Sequence, residues 1–169
     1  LGTKQVRTVM DGKYEYSYSD GDQWYQWSPD SRWILTNYIG TGGWNNKDVA
    51  LVNASGNGEI HNLTQSGYND TGAKWVLDGK AMTWESDRAG YRSHGSWGAH
   101  GDIYIMFFDL EAYERFLLTK EELALLEESE KKDDKKDETN KKGKKDATKE
   151  DNKKEEVKAL TFDLENCRD

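Results

Sequence analysis

The chain has 169 residues, 33% of them charged, a net charge of −8 and one cysteine, Cys167. That length holds one ordinary domain, and the acidic balance excludes nucleic acid as a general partner, because phosphate binding needs a basic field. A lone thiol excludes an internal disulfide, and no apolar run reaches the length of a membrane-spanning helix, so neither membrane insertion nor a cofactor is expected.

Taken in chain order, residues 3–10 read as the last strand of a preceding unit. Residues 11–23 follow as a polar connector in which Tyr14, Tyr16 and Tyr18 recur at period two, which suits one face of a strand. Four short strands are then expected, at residues 23–27, 33–38, 48–53 and 59–64. The first turn is Ser28-Pro29-Asp30-Ser31-Arg32, where proline presets φ, the aspartate bonds back to the backbone and the next residue takes positive φ. Ala54-Ser55-Gly56-Asn57-Gly58 has the chemistry of a hairpin turn.

The same pattern then returns. Trp27-Ser28-Pro29-Asp30-Ser31-Arg32-Trp33 is answered by Trp75-Val76-Leu77-Asp78-Gly79-Lys80-Ala81, 48 positions on. Asp48-Val49-Ala50-Leu51-Val52 is answered by Asp102-Ile103-Tyr104-Ile105-Met106, and Leu63-Thr64 by Leu118-Thr119. Gly79 fills the positive-φ place that Ser31 fills less comfortably. Second-unit strands are expected at 73–75, 81–86 and 102–108, with the extra length of this copy falling in residues 89–101.

A four-stranded antiparallel sheet repeating every ~40–45 residues is the signature of a propeller blade. The fold expected is therefore all-β: an incomplete β-propeller of two four-stranded blades, 24–66 and 72–119, with flanking strands. A propeller closes with about 4–8 blades, so the chain is expected to be a piece of a longer protein, prone to association through open faces and edges. All seven tryptophans lie between Trp24 and Trp97; Trp27, Trp33, Trp75 and Trp84 are expected between stacked faces, whereas Trp44 and Trp97 sit in glycine-rich loops.

Residues 110–116 fit a helical turn. A clearer helix is expected over 120–132, opened by a capping box of Thr119 with Glu122 and a staple of Leu118 with Leu123. Residues 120–156 hold twelve lysines and fourteen acidic residues, a mixed-charge run that reads as solvated linker. Residues 133–156 are accordingly expected to be a disordered insert, and apolar residues return at 157–169 as the start of another blade.

The richest loop is Tyr91-Arg92-Ser93-His94-Gly95-Ser96-Trp97-Gly98-Ala99-His100. With Arg88 from Ser86-Asp87-Arg88-Ala89-Gly90 it gives a candidate peptide- or partner-contacting set: Arg88, Tyr91, Arg92, His94, Trp97 and His100. Asp87 and Arg88 also suit a structural role at the strand end. His94, His100 and Asp102 match no metal-site spacing, and no serine stands on a strained nucleophile turn. No catalytic residue and no metal are expected. His61 is expected at the surface of an outer strand.

At Trp27-Ser28-Pro29-Asp30-Ser31-Arg32 and Ser86-Asp87-Arg88-Ala89-Gly90 the chain resembles the Trp-Ser-Pro-Asp-Gly repeats of Tol–Pal (TolB-type) propellers, prolyl-oligopeptidase relatives and tricorn-type proteases. Ser17-Tyr18-Ser19-Asp20-Gly21-Asp22-Gln23, Arg92-Ser93-His94-Gly95-Ser96-Trp97 and Met106-Phe107-Phe108-Asp109 narrow the likeness, as do the Thr119-Lys120-Glu121-Glu122 helix and the Lys/Glu insert. Together they look like bacterial tricorn-like serine peptidases, and the resemblance covers essentially the whole chain. It implies N-terminal propellers that filter or channel peptides toward a tail-specific-protease core. The family's catalytic residues lie in that core, and no position here matches them. The partners implied are peptides or other domains of the same parent protein, with a homo-oligomer as a further option. The compartment implied is the cytoplasm, with the periplasm as alternative. Two rivals are a non-enzymatic TolB-like propeller mediating protein–protein binding and the propeller cap of an α/β-hydrolase oligopeptidase.

Overall fold

A computed structural model describes residues 5–15, 23–40, 46–92, 98–141 and 158–167. The chain divides into two compact units, Leu1–Asp109 with Val157–Asp169, and Leu110–Glu156. The first unit holds β1 (Tyr25–Trp27), β2 (Trp33–Tyr38), β3 (Asp48–Asn53), β4 (Ile60–Asn62), β5 (Asp70–Val76), β6 (Ala81–Ser86) and β7 (Asp102–Phe107). The second holds α1 (Leu110–Leu117) and α2 (Lys120–Lys141).

The protein is mostly β, with two antiparallel meanders: a four-stranded sheet β1-β2-β3-β4 and a three-stranded sheet β5-β6-β7. The same ladder recurs in both. β2 pairs β3 from Trp33↔Asn53 to Tyr38↔Asp48, and β6 pairs β7 from Ala81↔Phe107 to Ser86↔Asp102. Because side chains alternate along a strand, this common register sets the faces. Leu35, Val49, Leu51 and Leu63 of the first sheet meet Ala73, Met82, Trp84, Met106 and Phe108 of the second in one core. The other face of the first sheet (Ile34, Ala50, Val52, Ala54) is covered by Val9 and Met10. The indole N–H groups of Trp24 and Trp75 cross between the sheets, to the carbonyls of Ala73 at 3.0 Å and Gln26 at 3.4 Å.

The Ser28–Arg32 turn shows what each of its letters does. Asp30 Oδ1 accepts from Ser28 Oγ at 2.6 Å and from the Arg32 N–H at 3.1 Å, and Oδ2 accepts from the Leu160 N–H at 2.9 Å. Ser31 sits at φ 59°, and the matching Gly79 at φ 89°. A Cβ on Gly79 would lie 2.7 Å from Leu160 Cδ1, so here glycine answers both backbone and space. The left-handed region costs a non-glycine residue about 1–2 kcal/mol, partly offset by glycine's larger unfolded-state entropy of about 0.5–1 kcal/mol. Ser31→Gly is therefore expected to raise the urea midpoint, by the equivalent of about 0.5 kcal/mol; a lowered midpoint would show that the Ser31 side chain itself supports the turn.

Burial raises the Asp30 pKa, but its hydrogen bonds from Leu160, Ser28 and Arg32 outweigh this and hold it below the ordinary 3.8. With the folded value depressed, the stabilisation is complete above the unfolded value and fades as pH falls through the folded one. The Leu160 amide NMR shift should titrate with Asp30 at a midpoint below 3.8. A midpoint at or above that value would break the link between this turn and the C-terminal segment.

Several expectations are corrected. The second sheet has three strands, not four; the helical turn expected over 110–116 is present as α1, where Ala, Glu, Arg and Leu favour helix and Glu111 pairs with Arg115 at 3.6 Å, four positions on. Residues 5–10 and 158–167 contain no strand, and residues 12–14 are a short 3-10 turn rather than part of a strand. The 158–167 segment instead packs Phe162 and Leu164 onto the core, and the Asp163 N–H donates to the Phe108 carbonyl at 2.9 Å. Trp27 is 52% exposed rather than packed. The helix expected to end at 132 continues to Lys141, so the first part of the expected disordered insert is helical. Lysine and glutamate are good helix formers, and Lys132 pairs with Glu128 one turn back at 3.3 Å. The remainder of that insert, Trp44, Tyr16 and Tyr18 lie outside the described residues. The Thr119–Glu122 capping box is present in both directions, Glu122 Oε2 accepting from the Thr119 N–H at 2.9 Å and Thr119 Oγ1 from the Glu122 N–H at 3.3 Å. The two sheets close no ring among the described residues.

Candidate functional site

The end of the second sheet at which β6 stops and β7 starts carries the charged loop singled out from the sequence. Its base is built on two buried carboxylates. Pairing of β5 with β6 sets Asp70 opposite Ser86, and both are fully buried. Arg88, two residues past Ser86, then reaches back. Its Nη2 donates to Asp70 Oδ2 at 3.1 Å and Oδ1 at 3.3 Å, and its Nε to Ser86 Oγ at 3.0 Å. Ser66 Oγ also donates to Asp70. The Arg88 guanidinium lies 4.7 Å from the Tyr104 ring centre and 5.5 Å from that of Trp84, the geometry of cation–π contact.

Asp87 is the second anchor. Its Oδ1 accepts from the Asn69 N–H at 3.0 Å and its Oδ2 from Arg92 Nε at 3.2 Å, while Arg92 lies over the Tyr68 ring at 4.9 Å. The loop then closes on itself. The His100 N–H donates to the Tyr91 carbonyl at 2.8 Å, and the two rings stand 5.9 Å apart. Gly90 permits this closure, since a Cβ there would lie 2.3 Å from the His100 carbonyl oxygen.

The six candidates thus divide. Arg88 and Arg92 are held in ion pairs that fasten the loop to β5 and β6, the structural role that also fitted Asp87 and Arg88 from sequence. Tyr91, 65% exposed, and His100 form the outward rim. His94 and Trp97 lie outside the described residues. Among the described residues no three His, Cys, Asp or Glu side chains group as metal ligands, and no helix is long and apolar enough to cross a membrane. The rim can contact a ligand through an aromatic ring and an imidazole; its cations are already engaged.

A second feature was not legible in the sequence. A groove of about 540 Å³ is lined by Arg7, Trp27, Ser31, Arg32, Trp33 and Ser55, among others, with no acidic residue in its wall. Arg7 Nη2 donates to the Ala54 carbonyl at 2.8 Å. In a chain of net charge −8, a basic, aromatic wall free of carboxylates departs from the average surface. Arg7 and Arg32 reach it from separate segments, so no local motif announces it.

Comparison with protein-family models, curated proteins and solved structures returned no match. The class that fold and site define is a mostly-β protein of two repeated antiparallel sheets with a pinned, aromatic loop rim.

Proposed function

We propose that the chain is a substrate-gating or substrate-channelling part of a β-propeller in a tricorn-like serine peptidase, and that it carries no catalytic residue itself. The observation that supports this reading most directly is the repetition of one ladder in two sheets stacked face to face. Stacking of successive four-stranded meanders is how propeller blades bury their faces. The pinned loop with Tyr91 and His100 at its rim suits contact with passing peptide, since loops held on a rigid scaffold commonly carry binding.

The test is the complete reading frame together with an assay of the chain. The reading expects a serine-peptidase core encoded downstream, and no hydrolysis of fluorogenic peptides by the isolated chain. A frame that stops within one more sheet would favour the TolB-like, non-enzymatic propeller instead. Hydrolysis by the pure chain, abolished by a substitution within it, would overturn the non-catalytic assignment.

A further inference from the structure

The two sheets differ in one respect that the repeat makes quantitative. In the first, the outer edge of β3 is occupied by β4, with Ala50↔Asn62, Leu51↔His61 and Val52↔Ile60 as partners. In the second, β7 is the last strand, and its outer edge has no strand partner among the described residues. The common register equates Asp48 through Val52 with Asp102 through Met106, so each of these positions in β7 has a counterpart that shows what faces it in a four-stranded sheet.

Three counterparts are informative. Val49 and Leu51, 1% and 0% exposed, are buried with Leu63 against the face of the second sheet, whereas Ile103 and Ile105, in the same places, are 73% and 38% exposed. Asp48 collects three donors from β4 and the residues beyond it: Asn62 Nδ2 at 2.7 Å, the Ser66 N–H at 3.1 Å and Thr64 Oγ1 at 3.3 Å. Asp102 collects none, its carboxylate making no hydrogen bond or ion pair among the described residues. Nothing in β7 guards the edge, since residues 103–107 contain no charge, proline or glycine.

We infer that the free edge of β7 binds an extended peptide as an added antiparallel strand, with the pattern apolar–x–Asn–Leu–Thr. The first three residues would lie opposite Met106, Ile105 and Tyr104. The Leu would donate its N–H to the Ile103 carbonyl, as Leu63 does to Val49 at 2.8 Å, and would lie on the face of Ile103 and Ile105, as Leu63 lies with Val49 and Leu51. The Asn and Thr side chains would donate to Asp102. Main-chain pairing supplies affinity and alternate side chains supply selectivity, as in other strand additions. The inference rests on the repeat of the two sheets and is independent of the peptidase reading.

The probe is a fluorescein-labelled peptide of the chain's own residues 58–66, titrated into the full chain and followed by anisotropy. Saturable one-to-one binding is expected, with affinity about tenfold weaker in Asp102→Ala, as loss of hydrogen bonds to a charged acceptor implies. A peptide methylated on the amide nitrogen of its Leu should not bind. No saturable binding by a chain with a native circular-dichroism spectrum would overturn the inference, as would equal binding of the methylated or a scrambled peptide. A dimer that excludes the peptide and is dispersed by Ile105→Lys would assign the edge to a second copy, and would equally overturn it.

Discussion

Phe108→Ala is expected to lower the unfolding free energy by about 3–5 kcal/mol, the range for truncating a buried aromatic side chain. Phe108 is fully buried at the end of β7. Its ring stands 5.6 Å from Trp75 and 5.0 Å from Phe162, the latter edge-on at 78°. Its backbone ties the same place together, the N–H donating to the Lys80 carbonyl at 2.8 Å and the carbonyl accepting from Asp163 at 2.9 Å. Truncation therefore leaves a cavity at the junction of β5, β7 and the 158–167 segment, and neighbours held by backbone bonds collapse into it only partly. Urea denaturation of the variant measures the loss. A double-mutant cycle with Phe162→Ala should return a coupling of about 0.5–1.5 kcal/mol, the range for an aromatic pair. A cost below about 1 kcal/mol would place Phe108 outside a well-packed core.

That cluster also shows where sequence reasoning stopped. β2, β3 and β6 were legible to the residue, because each is a six-residue run bounded by turn chemistry. The positive φ at position 31 was legible because Gly79 marks it in the other copy. The C-terminal segment was not. Its apolar residues, Leu160, Phe162 and Leu164, alternate as a strand would, yet Phe162 and Leu164 pack on a core drawn from the distant residues 35–108. The fourth strand of the second sheet failed for a different reason. The echo of Leu63-Thr64 in Leu118-Thr119 was real as letters, but the helix-forming composition of residues 110–117, already legible as a helical turn over 110–116, set the outcome. The charged run misled over residues 133–141, the described part of the expected insert, where the helix begun at Lys120 continues.

In its described residues the candidate loop was legible as a loop, and Asp87 and Arg88 as its structural edge. Asp70 was not, because the pairing of Asp70 with Ser86 comes from sheet register rather than from any motif. Its removal tests the site's base. Asp70→Asn should cost about 2 kcal/mol: Asp70 is fully buried, but the Arg88 side chain is 29% exposed, so the stranded cation is partly solvated and the usual penalty for breaking a buried pair is reduced. Arg88→Met should cost more, about 3 kcal/mol, since it strands the more deeply buried partner with only the Ser66 hydroxyl in place. The order of the two losses is the informative result. If Asp70→Asn proved the costlier change, Asp70 would matter chiefly through its bond to Ser66, and Arg88 would be free to meet a ligand. If Arg88→Met is costlier, the guanidinium over Tyr104 and Trp84 is a fastener, and peptide contact at this end falls to Tyr91 and His100.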